Sequence, residues 1–197
     1  HFVSAEALEQ VVGMGMVEGT KMAMAQLDAV LQDLREYAQG KGTRVELLDD
    51  THVRITRIIR GTVEQVWRAH TEPELLRRWQ LGPEGWTMPV CEVAPNVGDT
   101  YRYEWEQEGG ENRFGFTGEL LEVSPPVRSV TTERMIGMEG EGTINELTLT
   151  PVEEGTLMSL YVTYPSRELR DQILATGMTD GMETSYARLE REVLAPA

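Results

Sequence analysis

The chain has 197 residues, 40% of them hydrophobic, and a formal net charge of −15 from 18 Lys+Arg against 33 Asp+Glu. The length suits one full domain plus an extra piece, the composition excludes a disordered chain, and the acidity excludes nucleic-acid phosphates and anionic membrane surfaces as natural partners. The single cysteine, Cys91, excludes an internal disulfide framework and a Cys-rich zinc site, and fits a reducing, cytoplasmic setting. No apolar run approaches the roughly 20 residues of a membrane span. No basic segment with a small-residue cleavage site marks a secretory signal. The first residue is His1, as in a fragment or the end of a tag.

Residues 4–38 read as one long helix. Ser4 stands at the cap, Glu6 and Glu9 suit the positive end of the dipole, and Leu8, Val12, Met16, Met24, Leu27 and Leu31 recur at helical spacing. Gly40 and Gly42 end it. Residues 44–48 and 53–59 alternate with period two around Asp49-Asp50, the pattern of an antiparallel hairpin. Thr62-Val63-Glu64-Gln65 has capping-box spacing, and Thr71-Glu72-Pro73-Glu74 opens a second short helix. The first of these helices offers Val66, Trp67 and Ala69 to a core, and the second Leu75, Leu76 and Trp79. Strands are then expected at 89–93, 100–107, 113–123, 129–136, 143–150 and 156–164, separated by turn residues. A second long helix, Glu168–Leu194, capped by Ser166, closes the chain.

The two long helices repeat one another. A shift of 162 residues lays Ser4 on Ser166, Gln10 on Gln172, Gly15-Met16 on Gly177-Met178, Gly19 on Gly181, Ala25 on Ala187 and Leu27 on Leu189. Interior helix glycines cost about 1 kcal/mol each relative to alanine. Their recurrence predicts close packing on that face. It also predicts that residues 1–42 are the last helix of a preceding related domain plus a linker, with the full domain at 43–197.

Chemistry-bearing constellations are sparse. His1, His52 and His70 are scattered, with no nucleophile and orienting carboxylate beside them. Cys91 lies in a strand, where a buried thiol is usual. No metal-ligand spacing, phosphate-cradling loop or dinucleotide fingerprint is present, so neither a metal nor a cofactor is expected. The acidic runs at 104–111 and 153–154 read as solvated faces and turns.

Thr62-Val63-Glu64-Gln65-Val66-Trp67-Arg68-Ala69, followed by Thr71-Glu72-Pro73-Glu74-Leu75-Leu76-Arg77-Arg78-Trp79, resembles the opening of the family named after the activator of the heat-shock-protein-90 ATPase, a branch of the START-like or SRPBCC superfamily. Val97-Gly98-Asp99-Thr100-Tyr101 resembles its turn into the third strand, with Asp99 where a second glycine is usual. The stretches 118–126, Gly155-Thr156 and Gly177-Met178 with Gly181 continue the likeness in order. The resemblance implies an α+β helix-grip fold, with a curved antiparallel sheet around the C-terminal helix and two short helices closing one end. It also implies an apolar cavity between sheet and helix, where members bind lipids, polyketides or other hydrophobic small molecules. The helix stripe Ile173, Leu174, Met178, Met182, Tyr186, Leu189 and Val193 suits that cover.

Candidate pocket residues follow. Tyr101, Tyr103 and Trp105, with Phe114 and Phe116, form an aromatic face that reads either as core or as cavity lining. Met135, Met158, Met178 and Met182 add adaptable surface, and Tyr186 lies on the helix stripe. Asn145 is in phase with Leu147 and Leu149, so an inward face would make it a buried amide in need of a partner. Trp79 and Trp86 are expected at the pocket mouth, and Trp67 in the core.

Three functions fit these residues. The first is binding of a hydrophobic small molecule without chemistry. The second is a co-chaperone-like interaction module. The third is a cyclase or aromatase drawing on Asn145, Tyr101, Tyr103 and Glu133. The apolar stripe Met14, Met16, Met22, Met24 and Leu27 of the first helix needs a cover, either this domain or a second copy in a homodimer.

Overall fold

A computed structural model describes residues 42–82, 84–110 and 112–194. The chain divides into two units, His1–Lys41 and Gly42–Ala197. The expected helix 4–38, its homodimer contact and the N-terminal half of the repeat lie outside the described residues.

The second unit begins with β1 (Arg44–Leu47) and β2 (His52–Ile59), the expected hairpin. Asp49 shapes its turn, its Oδ1 accepting from the backbone N–H of Thr51 and His52 at 2.8 and 2.9 Å. Helix α1 (Val63–Thr71) starts on the capping box: Thr62 Oγ1 accepts from Gln65 N at 3.3 Å, and Gln65 Oε1 accepts from Thr62 N at 2.9 Å. Helix α2 (Pro73–Trp79) carries its proline in the first turn, where a missing N–H is harmless.

Six strands follow: β3 (Trp86–Glu92), β4 (Thr100–Gln107), β5 (Arg113–Ser124), β6 (Arg128–Met135), β7 (Thr143–Val152) and β8 (Gly155–Thr163). All pair antiparallel, in the order β1-β2-β8-β7-β6-β5-β4-β3, as one curved eight-stranded sheet. β3 begins at Trp86, earlier than its sequence suggests. It is an edge strand, and its pairing slips between Thr87 and Val90, around Pro89, which cannot donate to the ladder. In the turn before β4, Asp99 Oδ2 accepts from the backbone and side-chain nitrogens of Asn96 at 3.0 and 2.9 Å, and so holds the turn closed.

The C-terminal segment differs from the expected single helix. It is α3 (Arg167–Leu174), α4 (Met178–Leu189) and a π-helical turn, Glu190–Leu194. Ser166 caps α3 as expected, its Oγ accepting from Leu169 N at 3.2 Å. The break falls at Gly177, whose φ of 78° is strained for any residue with a Cβ. Among the described residues, a Cβ at Gly177 or Gly181 would meet nothing within 4 Å, so the close packing expected over this glycine pair has no partner there. Gly177 is required by backbone conformation.

The apolar interior comes in two parts. One gathers Ile59, Val66, Ala69, Leu76, Trp79, Met88, Cys91, Trp105, Leu149, Met158, Tyr186 and Leu189 beneath α1, α2 and the end of α4. The other joins Val53, Ile55, Val162 and Tyr164 to Leu169, Ile173, Leu174 and Met178 of the C-terminal segment. Met182 touches both.

Candidate functional site

The face of the sheet turned toward α4 is fixed by register. Arg57 of β2 meets α4 carboxylates, so β2 presents Val53, Ile55, Arg57 and Ile59 inward, and pairing carries this phase across the sheet. Val53 opposes Val162, and Ile55 opposes Leu160. Val162 and Leu160 oppose Asn145 and Leu147. Asn145 opposes Thr131, and Thr143 opposes Glu133. Met135 opposes Phe116, and Phe116 opposes Tyr103.

Between the two apolar clusters, this face turns polar. The Tyr101 hydroxyl lies 2.9 Å from Thr132 O and 3.3 Å from Glu133 Oε2. It has one proton to donate. The proton serves one of these two acceptors at a time. Thr143 Oγ1 donates to Asn145 Oδ1 at 3.1 Å. The amide marked by strand phase thus has a partner two residues away on its own strand, and its side chain favours the ionised form of Glu133.

Burial pushes the Glu133 carboxyl above the usual carboxylate range, against the lowering effect of Tyr101 and Asn145. No ion pair relieves it among the described residues. Burial likewise raises the Tyr101 and Tyr103 hydroxyls, with Glu133 adding to both. Yet Glu133, Asn145, Tyr103, Phe116, Leu147 and Leu160 all retain solvent-accessible surface, whereas Tyr101, Trp105, Leu149, Met158 and Val162 around them are buried.

The other ionisable group of this face is treated differently. Arg57 is 4% exposed. Its Nε and Nη2 donate to Glu183 Oε2 and Oε1 at 3.0 and 3.1 Å, and Nη1 lies 3.2 Å from Glu190 Oε1. Thr43 N and Oγ1 donate to the same Glu183 carboxylate at 2.7 and 2.8 Å. Burial works against the Arg57 charge, but the two carboxylates outweigh it and hold its pKa up. The cluster fastens α4 to β2.

The aromatic candidates lie close to one another. Trp105 stacks on Phe114 at 5.1 Å, Trp86 meets Phe114 edge-on at 5.2 Å, and Tyr101 lies 4.9 Å from Tyr103. Trp79, expected at a mouth, is instead buried: its Nε1 donates to Ala69 O at 2.9 Å and its ring stacks on Tyr186 at 5.4 Å. Trp67, expected in the core, is half-buried at its edge. The two tryptophans differ because Val63, Val66 and Ala69 take the buried face of α1, whereas Leu76 and Trp79 take that of α2. Met135 is 39% exposed at the rim of the inward face. Met158 is fully buried and Met178 and Met182 half-buried. Among the described residues no three His, Cys, Asp or Glu side chains are placed to hold a metal, and no helix is long and apolar enough to cross a membrane.

Glu133 entered the sequence reading only under its enzymatic alternative, and Thr131 and Thr143 did not enter it. The available signal was the phase Thr131, Glu133, Met135 along β6, which sets a carboxylate between residues of an inward face. Two open surface hollows lie elsewhere. One, of about 530 Å³, is on the outer face at Arg102, Thr117 and Arg134. The other, of about 670 Å³, is bordered by the start of α1, Val127 and Pro151.

A protein from Rhodobacter sphaeroides with a solved structure is 32% identical, covering 79% of this chain and 99% of its own, with a TM-score of 0.73. A Chromobacterium violaceum protein is 27% identical over 74% of this chain and 99% of its own, TM-score 0.62. An AHSA1-like protein from Aeromonas hydrophila, 20% identical over 74% of this chain and 96% of its own, shares the fold with a TM-score of 0.63. No curated protein matches. Residues 60–193 match the profile of the Activator of Hsp90 ATPase homolog 1-like proteins, and the chain belongs to that family.

Proposed function

We propose that this domain binds a hydrophobic small molecule, lipid-like or polyketide-like, between the sheet and the C-terminal helices, with its polar end at Glu133. The observation that carries this reading is a carboxyl with no cation, set between two apolar clusters on a face that keeps solvent-accessible surface. Leaving a buried acid without a charged partner destabilises a fold, and such groups concentrate at sites of function. Tyr103, Phe116, Leu147 and Met182 supply the apolar wall, and Trp105 and Phe114 its aromatic end.

Native mass spectrometry and tryptophan fluorescence against a panel of lipids and aromatic polyketide-like compounds test the reading. Saturable one-to-one binding, weakened by Phe116→Ala and by Glu133→Leu, is the expected result. A panel without a single ligand overturns it.

Family membership favours a second reading, a module that docks on a chaperone. Recovery of a chaperone in a pull-down, with a changed ATPase rate, would favour it over the first. Cyclase-type chemistry is a further extension of the same site, with Glu133, Tyr101, Tyr103 and Asn145 as the groups to substitute. The sequence repeat supports residues 1–42 as the last helix of a related domain plus a linker. Removal of residues 1–40 is expected to change solubility or oligomeric state on size-exclusion chromatography.

A further inference from the structure

We infer that the ligand's polar end is uncharged, a hydroxyl or a carbonyl, and that the site rejects carboxylates and phosphates; this rests on the binding reading above.

The argument begins with the groups that face Glu133. From β4 come Tyr101 and Tyr103, from β7 Thr143 and Asn145, and from the end of β8 Tyr164. All are neutral hydrogen-bonding groups. Among the described residues, the guanidiniums nearest this face are engaged elsewhere. Arg57 is held by Glu183 and Glu190. Arg170, 5% exposed, donates to Asp171 Oδ1 at 2.9 and 2.7 Å and to the Asp49 carbonyl. Arg188 of α4 donates to the Trp79 and Gly82 carbonyls at 3.1 Å each. A carboxylate or phosphate entering beside Glu133 would find no uncommitted cation among the described residues to offset its desolvation, and would meet a carboxyl and the field of a chain of net charge −15.

A hydroxyl or carbonyl has suitable partners. The Glu133 carboxyl can accept, and when protonated can donate, and no hydrogen bond of the Tyr103 hydroxyl exists among the described residues. A site built from an acid, an amide and phenols discriminates by hydrogen-bond pattern, and groups left unpaired by a wrong ligand make that discrimination steep.

The test uses three probes of one shape: 2-naphthol, 2-acetylnaphthalene and 2-naphthoate, titrated calorimetrically at pH 7.5. The phenol and ketone are expected to bind the wild-type chain at least tenfold more tightly than the carboxylate. Glu133→Leu should cut that ratio below threefold. Glu133→Gln, which keeps shape and removes the ionisable acid, serves if the leucine variant fails to fold by circular dichroism, and should narrow the ratio in the same direction. Equal or tighter binding of naphthoate overturns the inference while leaving the binding reading intact. A preference unmoved by both Glu133 variants and by Tyr101→Phe also overturns it, because the selection then lies elsewhere. Carboxylate hits dominating the wider lipid and polyketide panel count against it in the same way. Failure of all three probes together with an empty panel sinks the binding reading itself.

Discussion

Arg57 and Glu133 occupy the same face of one sheet and are handled in opposite ways. Arg57 is enclosed and answered by two α4-side carboxylates, one of which also takes both donors of Thr43. Glu133 lies beside the neutral Tyr101 hydroxyl with no ion pair among the described residues, and burial raises its pKa. The contrast separates two uses of a buried ionisable group. A charge matched by partners from a distant segment fastens that segment. A charge left unmatched lowers stability where it stands, and a fold retains it for what it does to something else.

The largest effect is expected at the fastening. Arg57→Met leaves Glu183 and Glu190 facing each other without a cation, and should cost about 2–3 kcal/mol in urea unfolding, at or just below the lower end of the range for a broken buried pair because Glu183 is partly exposed. An unchanged midpoint would erase the distinction between the two groups. Gly177→Ala tests the break that brings α4 back toward β2. A Cβ at φ 78° should cost about 1 kcal/mol, read as a lower melting temperature.

Glu133→Gln is expected to change stability at pH 5 by less than about 1 kcal/mol while altering its pH dependence. The native pKa lies above that of the unfolded chain, so the native state holds its proton longer. Stability is therefore fully present below the ordinary glutamate range and declines as pH rises toward the raised native value. The glutamine variant should lack that decline in chemical denaturation across pH 4–8. A parallel curve for both proteins would show that Glu133 is not the perturbed acid.

The smallest effect is at His70. Its Nδ1 donates to Val66 O at 2.7 Å, which leaves Nε2 a buried acceptor with no partner against Trp79 and Tyr186. Burial lowers its pKa, the Val66 contact only partly opposing this. The unfolded chain then binds the proton first, and stability falls as pH drops through the ordinary imidazole value of about 6.5. His70→Phe should flatten that acid limb, a slope opposite in sign to the one removed at Glu133.

Much of this fold was legible along the chain. The capping box at Thr62–Gln65, the alternation of Tyr101, Tyr103 and Trp105, and the cap at Ser166 are local, and each formed as spaced. The break at Gly177 was not legible as a break, because a lone glycine inside a helical pattern is tolerated about as often as it ends one. Nor could the parts of Trp67 and Trp79 be told apart, since both lie at apolar positions of short helices and only the packing of α2 against α4 decides which is enclosed. Phase marked Asn145 as inward and sets Thr143 beside it on the same strand, but its nearness to Glu133 is set by strand pairing.

Composition, periodicity and turn residues by themselves determined an antiparallel sheet, two short helices and a helical C-terminal segment, because these follow from interactions within a few residues. Tertiary structure alone decided which inward charge is matched. Arg57 meets Glu183 across 126 positions and Glu133 meets no cation among the described residues, and such meetings depend on distances that no local spacing encodes.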